Sequence, residues 1–136
     1  MGSEMCIRDR INEIAPRTHN SAHFSIEACS SSQFDQYICI SSGIKPPEIN
    51  MYAQGSLMIN LLGLKKKFPL SIEKRIELLS KIKGSNLHWY GKSKESVGRK
   101  MAHITFLLDE KNHLKRAEKS KEILTKVREI WPSPND

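Results

Sequence analysis

Pro46 and Pro47 stand side by side a third of the way along this 136-residue chain, and no other feature constrains its folding as strongly. A proline fixes its own φ at about −65°, offers no N–H and drives the preceding residue out of the helical region. Neither a helix nor a central strand can run through the pair. The surrounding GIKPPEIN, Gly43 to Asn50, therefore reads as a linker with a boundary near Ile44 to Ile49. The whole length suffices for one modest core and excludes a complete multi-domain enzyme.

On the N-terminal side, INEIAPRTHNSAHF (11–24) is polar, and Pro16 blocks helix continuation, so it reads as a strand end running into a loop. Ser31 to Ser42 reads as a helix: Ser30 and Gln33 have capping-box spacing, Phe34, Tyr37 and Ile38 share a face, and Gly43 suits the stop. Beyond the linker, SLMINLL (56–62), NLHWY (86–90) and KMAHITFL (100–107) read as strands. In the last of these Met101, His103 and Thr105 alternate with Ala102, Ile104 and Phe106. Ser71 can cap a helix carrying Ile72, Ile76 and Leu79, stopped by Gly84. A second helix runs from Asp109 to Trp131 with Leu114, Ala117, Leu124, Val127 and Trp131 at helical spacing, ended by Pro132 and Pro134. The pattern predicts an α+β fold.

Charge is concentrated. Between Lys65 and Lys100 eleven Lys or Arg stand against three acids, a local net of +8 in a chain whose total is +7. Such a window suits nucleic acid, an anionic surface or a phosphorylated small molecule, and composition does not choose among them. The longest apolar stretches, near 56–64 and 104–108, are far short of the roughly 20 residues of a membrane span, and 1–10 has no secretory apolar region. A cytoplasmic location is the expectation. Cys6, Cys29 and Cys39 have no metal-binding spacing and read as free thiols.

Two constellations carry possible chemistry. Asn12, Glu13, Arg17, His19, Asn20, Ser21 and His23 place seven polar or ionisable side chains within twelve residues. A carboxylate there suits Mg2+ on a nucleotide, Arg17 offers a planar fork for phosphate or bicarbonate, and His19 can move a proton near neutrality. The competing reading is a hydrogen-bonded surface loop. The second constellation is YGKSKESVGRKMAH, 90–103, where Gly91 and Gly98 bracket a loop whose Lys92, Arg99 and Lys100 can converge on a phosphate monoester. Its competing reading is a solvated basic hairpin. His88 and His103, on strands, read as packed or hydrogen-bonded, and Trp89 and Tyr90 as core.

Taken together, INEIAPRTHNSAHF, the Ser-Gln-Phe helix, LMINLLG, LHWYGK and GRKMAHIT resemble the C-terminal part of the N5-carboxyaminoimidazole ribonucleotide synthetase family, ATP-grasp ligases of purine biosynthesis. The resemblance covers about 11–107. The related formate-using glycinamide ribonucleotide transformylases share an acidic residue, Pro-Arg and a His in the corresponding loop, but Asn20-Ser21, His23 and the YGK to GRKMAH hairpin look like the carboxylating family. The resemblance implies the C-terminal edge of an ATP-grasp domain followed by a small β-rich domain with a C-terminal helix. It further implies that ATP phosphorylates bicarbonate to carboxyphosphate, which carboxylates the exocyclic amine of aminoimidazole ribonucleotide. By the same resemblance Asn12 and Glu13 hold nucleotide and Mg2+, Glu13 being the metal ligand. Arg17, His19 and Asn20 lie near bicarbonate, and Lys92, Arg99 and Lys100 grip the 5'-phosphate. Partners are then small molecules and, when the protein is full length, a second copy in a homodimer, with no nucleic acid and no membrane. The alternative is a small basic nucleic-acid-binding module.

On this resemblance the chain is expected to be a C-terminal fragment inactive alone, because the family's earlier ATP-grasp elements, including a second metal carboxylate, have no counterpart. The expected divisions are 1–10, an unmatched or non-native leader; 11–43, the end of the ATP-grasp domain; 44–50, linker; 51–108, the small domain; and 109–136, helix and tail. Departures from the family pattern are Ala22 and Ala102 where glycine is usual, Val97 where proline is common, and a helix-like insert at 65–83.

Overall fold

The structure, a computed structural model, describes residues 14–65 and 68–134. Its elements are a 3-10 turn at Asn20–Ala22, α1 (Ser25–Ala28), α2 (Gln33–Ser41), β1 (Gly55–Leu62), α3 (Ile72–Ser80), β2 (Asn86–Trp89), β3 (Lys100–Leu108) and α4 (His113–Ile130). The α+β reading holds. The three strands form one antiparallel sheet in the order β1-β3-β2. The last strand in sequence is central, with both edges paired, and its faces are covered by α1 on one side and by α3 and α4 on the other, so Met101 through Phe106 are all buried. The alternation read from sequence is present as two faces, neither of them wet.

One face is the core. Ile59, Leu61, Ala102, Ile104, Phe106 and Leu108 pack with Leu79 of α3 and with Ile123, Val127 and Trp131 from α4 and its end. Burial of each large side chain contributes about 1.5–3 kcal/mol. Trp131 is fully buried, and its indole N–H donates to the Leu62 carbonyl at 2.7 Å, tying the end of α4 to β1. The other face carries Asn60, His103 and His88 in one cross-strand row and Met58, Thr105 and Asn86 in the next.

Three expectations are corrected. The capping box of α2 is Ser32 with Asp35: the Ser32 hydroxyl accepts the Asp35 N–H at 3.2 Å, and the Asp35 carboxylate accepts the Ser32 N–H at 2.8 Å. Ser30 instead bonds the linker, its N–H donating to the Asn50 carbonyl and its hydroxyl accepting the Asn50 N–H. The shared face of Phe34, Tyr37 and Ile38 is at least a third exposed; from it Phe34 meets the His23 ring at 5.2 Å, and α2 is otherwise held by polar contacts of Gln33 and Gln36. In α4, Leu114 and Leu124 are exposed, while Ile123, one residue over, joins Val127 and Trp131 in the core. Only the second half of α4 meets the sheet through apolar residues. Its first half is fastened by Arg116, which donates to the carbonyls of Glu110 and Lys111.

The linker is not a free tether. It runs without regular structure from 44 to 50, and there the Cys29–Met51 bridge, the Tyr52 N–H to Ala28 carbonyl bond at 2.8 Å and the Gln36 amide on the Pro47 carbonyl press it against the α1–α2 corner. None of the described helices is long and apolar enough to cross a membrane.

Candidate functional site

The polar face of the sheet is where the two constellations meet. His103 is 2% exposed, and its ring stacks on that of His88 with centroids 4.5 Å apart and an 11° interplanar angle. The His23 ring approaches that of His103 to 5.1 Å at a 46° tilt. His88 and His103 are cross-strand neighbours, which fixes their stacking; His23 arrives from the loop before α1, eighty residues away in sequence.

Each ring has a distinct partner. The His88 Nε2 is paired with Glu27 of α1, so α1 is pinned onto the sheet by a side-chain bond. The His103 Nδ1 is 2.7 Å from the Tyr90 hydroxyl. The Gln33 side-chain amide donates to both the His19 carbonyl and His23 Nδ1, while its oxygen accepts the His19 N–H at 2.8 Å. Since His23 Nδ1 is an acceptor, the neutral ring carries its proton on Nε2. Gln33 thus clamps the 19–23 loop by three bonds; it is the first residue of α2, and the capping position three after Ser32 belongs to Asp35.

Burial is the main force on the titration of this cluster, because an imidazolium loses hydration there. It lowers His103 to about 4, with further lowering by His88 and His23. His23 is also lowered, by burial first and then by Lys100, His88 and His19. Burial raises the Tyr90 phenol. The rings of His103 and His23 are therefore uncharged at neutral pH. They act as packing and hydrogen-bonding groups, as read from sequence for His88 and His103. His103 Nε2, Asn60 Oδ1, Glu27 Oε2 and Thr105 Oγ1 are buried polar atoms on this side of the sheet with no protein partner.

The residues singled out in sequence fall as follows. Asn12 and Glu13 lie outside the described residues. Arg17 is exposed, its guanidinium donating to the Thr18 carbonyl at 3.0 Å, and it lines an open depression with Pro16, Gln33, Tyr37 and Ile49. His19 caps the 3-10 turn that Asn20 begins, its Nδ1 accepting the Ser21 N–H and lying 2.7 Å from the Ser21 hydroxyl. Lys92 reaches across the hairpin to the Lys100 carbonyl and lies 5.5 Å from the Tyr90 ring centroid. Arg99 and Lys100 are exposed at the start of β3, and the Arg99 carbonyl accepts the Gly63 N–H at 2.8 Å. A continuous route of contacts then runs Lys92, Tyr90, His103, His23, Gln33, His19. Glu27 is not marked by its local spacing, and Gln33 is marked in sequence only as a capping-box residue, not as the clamp of the 19–23 loop.

The basic window is less uniform than its composition. Arg75 is buried, and Lys74 and Lys81 both bind Glu77, whose carboxyl they hold at about 2. Among the described residues no three His, Cys, Asp or Glu side chains are grouped to hold a metal ion.

Known protein families match two segments of this chain. The phosphoribosylaminoimidazole carboxylase C-terminal domain matches 56–117, which includes the hairpin, and the ATP-grasp domain matches 2–34, which includes the 12–23 loop. The N5-carboxyaminoimidazole ribonucleotide synthase of Synechococcus elongatus is 39% identical over 125 residues, covering 92% of this chain and 31% of that protein. The crystal structure of N5-carboxyaminoimidazole synthetase from Staphylococcus aureus superposes with a TM-score of 0.66 at 36% identity, covering 86% of this chain and 29% of that one. The Aspergillus clavatus enzyme, solved with ADP and 5-aminoimidazole ribonucleotide, gives a TM-score of 0.65 at 27% identity over 82% of this chain and 29% of its own. The chain spans about a third of the length of the relatives it matches.

Proposed function

Over the part that this sequence spans, the chain belongs to the N5-carboxyaminoimidazole ribonucleotide synthetase family of ATP-grasp proteins, and on that premise we propose that it supplies the bicarbonate loop and the ribonucleotide-phosphate hairpin of such a ligase. The reaction joins a carboxyl group, activated by ATP as carboxyphosphate, to the exocyclic amine of 5-aminoimidazole ribonucleotide. It releases ADP and phosphate and gives N5-carboxyaminoimidazole ribonucleotide. The observation that carries this reading is the contact of His23 with His103, which sets the 17–20 loop beside the base of the 90–100 hairpin.

In this proposal Arg17 and Asn20 orient bicarbonate and the anion formed from it, and His19, steadied by Ser21 and Gln33, holds a proton donor beside them. Lys92, Arg99 and Lys100 bind the 5'-phosphate, fixing the amine relative to the loop, a positioning role that lowers the barrier without chemistry of its own. Asn12 contacts nucleotide. Mg2+ would rest on Glu13 and phosphate oxygens, a donor set that this hard cation favours, and it would offset charge on the β and γ phosphates. A cytoplasmic homodimer completes the proposal.

The test is a chimera in which residues 11–136 complete the remaining two thirds of a relative, assayed for bicarbonate- and ribonucleotide-dependent ADP release. Turnover is expected, with Glu13→Ala abolishing it. Full activity in Glu13→Ala would remove Glu13 from the metal site, and bicarbonate-dependent turnover by the unassisted 136-residue chain would overturn the partial-site reading. The rival reading, a nucleic-acid module, requires RNA binding that falls steeply with salt in a filter assay. The pairing of Lys74 and Lys81 with Glu77 and the burial of Arg75 weigh against it.

A further inference from the structure

The hairpin between β2 and β3 has an anchor that the proposed reaction does not use. Of residues 91–100 all are exposed except Lys92 and Glu95, and Glu95 points inward. One Glu95 oxygen accepts the Leu64 N–H at 3.0 Å and Arg75 Nη1 at 3.2 Å, and the other accepts Arg75 Nη2 at 2.8 Å. This is the two-pronged guanidinium–carboxylate geometry, which fixes orientation as well as distance. Arg75 is itself 2% exposed, with its guanidinium 4.0 Å from the Trp131 ring centroid and 5.9 Å from that of Phe68. For Glu95, burial alone would raise the carboxyl, but the bonds from Arg75 and Leu64 outweigh it and leave the group lowered.

The main chain adds a second fastening beside the first. The Gly63 N–H donates to the Arg99 carbonyl at 2.8 Å, the Gly98 N–H returns to the Gly63 carbonyl at 2.9 Å, and Gly63 bridges Val97. A side chain at position 63 would overlap the Ser96 carbonyl, so only glycine permits this approach. Gly98 has φ +72°, the left-handed conformation that turns the chain into β3. The tip of the loop is thus held by Gly63, Leu64 and Arg75, the last of them inside the 65–83 insert read from sequence as a departure from the family pattern.

We propose that Arg75 and Glu95 are a positioning pair for phosphate binding: α3, through a guanidinium braced on Trp131, fixes the hairpin so that Lys92 and Arg99 present one site to a phosphate monoester. The ligand in this statement rests on the function proposed above; the anchoring does not. A surface ion pair would contribute little to order. Here one partner is buried and oriented by an aromatic ring, and the carboxylate also satisfies a backbone N–H, so the pair dictates where the loop lies.

The full chain tests this with two variants and one control. Arg75→Met keeps an apolar side chain on Trp131, and Glu95→Gln keeps an acceptor for Leu64 while losing the charge pair. Lys74→Gln removes a neighbouring exposed cation. Backbone relaxation and amide exchange report hairpin order, thermal unfolding reports stability, and amide shifts of Gly91 and Gly98 report titration with ribose 5-phosphate against inorganic phosphate. In both variants, exchange at Leu64 and Gly98 is expected to quicken at least tenfold and ribose 5-phosphate affinity to fall at least tenfold. Glu95→Gln leaves the buried Arg75 guanidinium without its carboxylate and should lower the melting temperature, so exchange and binding are read well below that transition, where the variant is folded; Lys74→Gln should change neither readout. A purely structural ion pair would lower the melting temperature and leave the hairpin exchange and ribose 5-phosphate affinity of the folded variants at the parent's values, and that result would overturn the positioning role. Unchanged hairpin order in the folded Glu95→Gln protein would overturn the anchor, whatever Arg75→Met does. Loosened hairpins with no ribose 5-phosphate binding by the parent chain would uphold the anchor and count against the phosphate reading of Lys92 and Arg99 instead.

Discussion

The two faces of the small sheet are built on opposite terms. Toward α3 and α4, cross-strand rows such as Ile59–Ile104–Leu87 and Leu61–Ala102–Trp89 carry apolar side chains that need only close packing. Toward α1, the row Asn60–His103–His88 carries polar groups, and several of their buried atoms have no protein partner. The first face is insensitive to pH and intolerant of volume change. The second holds uncharged imidazoles at an energetic cost and draws the 17–23 loop onto the sheet. Stability and the candidate site are thus assigned to the two sides of one central strand.

Four measurements would break or sharpen that contrast. On the apolar side, Trp131→Ala should cost about 4 kcal/mol in urea unfolding, through lost burial and the loss of the Leu62 bond; a cost near zero would mean that α4 does not close the core. On the polar side, His103 titrates at about 4 when folded and near 6.5 when unfolded, so the unfolded chain takes up the proton first. Stability should be complete above pH 6.5 and decline as pH falls toward 4, by about 3 kcal/mol from this residue, with His23 acting in the same direction. Urea midpoints at pH 7.5 and 4.5 should show a shallower decline in His103→Gln, and equal declines would remove the buried imidazole as the cause. A double-mutant cycle of Glu27→Ala with His88→Ala should return a coupling of about 1 kcal/mol at pH 6, reduced by the solvent access of His88. An effect of similar size belongs to the region beyond that face: Ser32→Ala should lose about 1 kcal/mol and speed amide exchange at Asp35, without altering the His103 titration.

What the sequence revealed depended on how local the cause was. Strands with alternating residues, the Ser71 cap of α3 and the proline stop of α4 are set within a few neighbours, and all were legible. His88 and His103 were read as packed strand residues because period-two spacing put them there. The cap of α2 was misread because Ser30 and Ser32 both have acceptors three residues on, and the choice between them was made by Asn50 and His19, residues from other segments. Leu114 and Leu124 fit a helical stripe equally well as Ile123; the stripe that won is the one the sheet meets. The pairings of His23 with His103, Glu27 with His88 and Arg75 with Glu95 span 80, 61 and 20 residues. No periodicity encodes such pairings, so the candidate loop and hairpin were visible as separate lists of residues and their adjacency was not.

Trp131 also makes this molecule its own spectrometer. The chain has two tryptophans, Trp89 and Trp131, and both sit in the C-terminal portion with ring centroids 6.3 Å apart. At that separation their transitions couple, giving a near-ultraviolet dichroic signal that exists only while α4 lies on the sheet. The indole of Trp131, enclosed and faced by the Arg75 guanidinium, should emit at short wavelength and shift red on release. Residues before the linker contain no tryptophan, so detachment of the 14–43 segment would be silent in emission and visible in the histidine resonances. Recording both signals during one titration would resolve, without any label, whether the two portions of the chain come apart together or in turn.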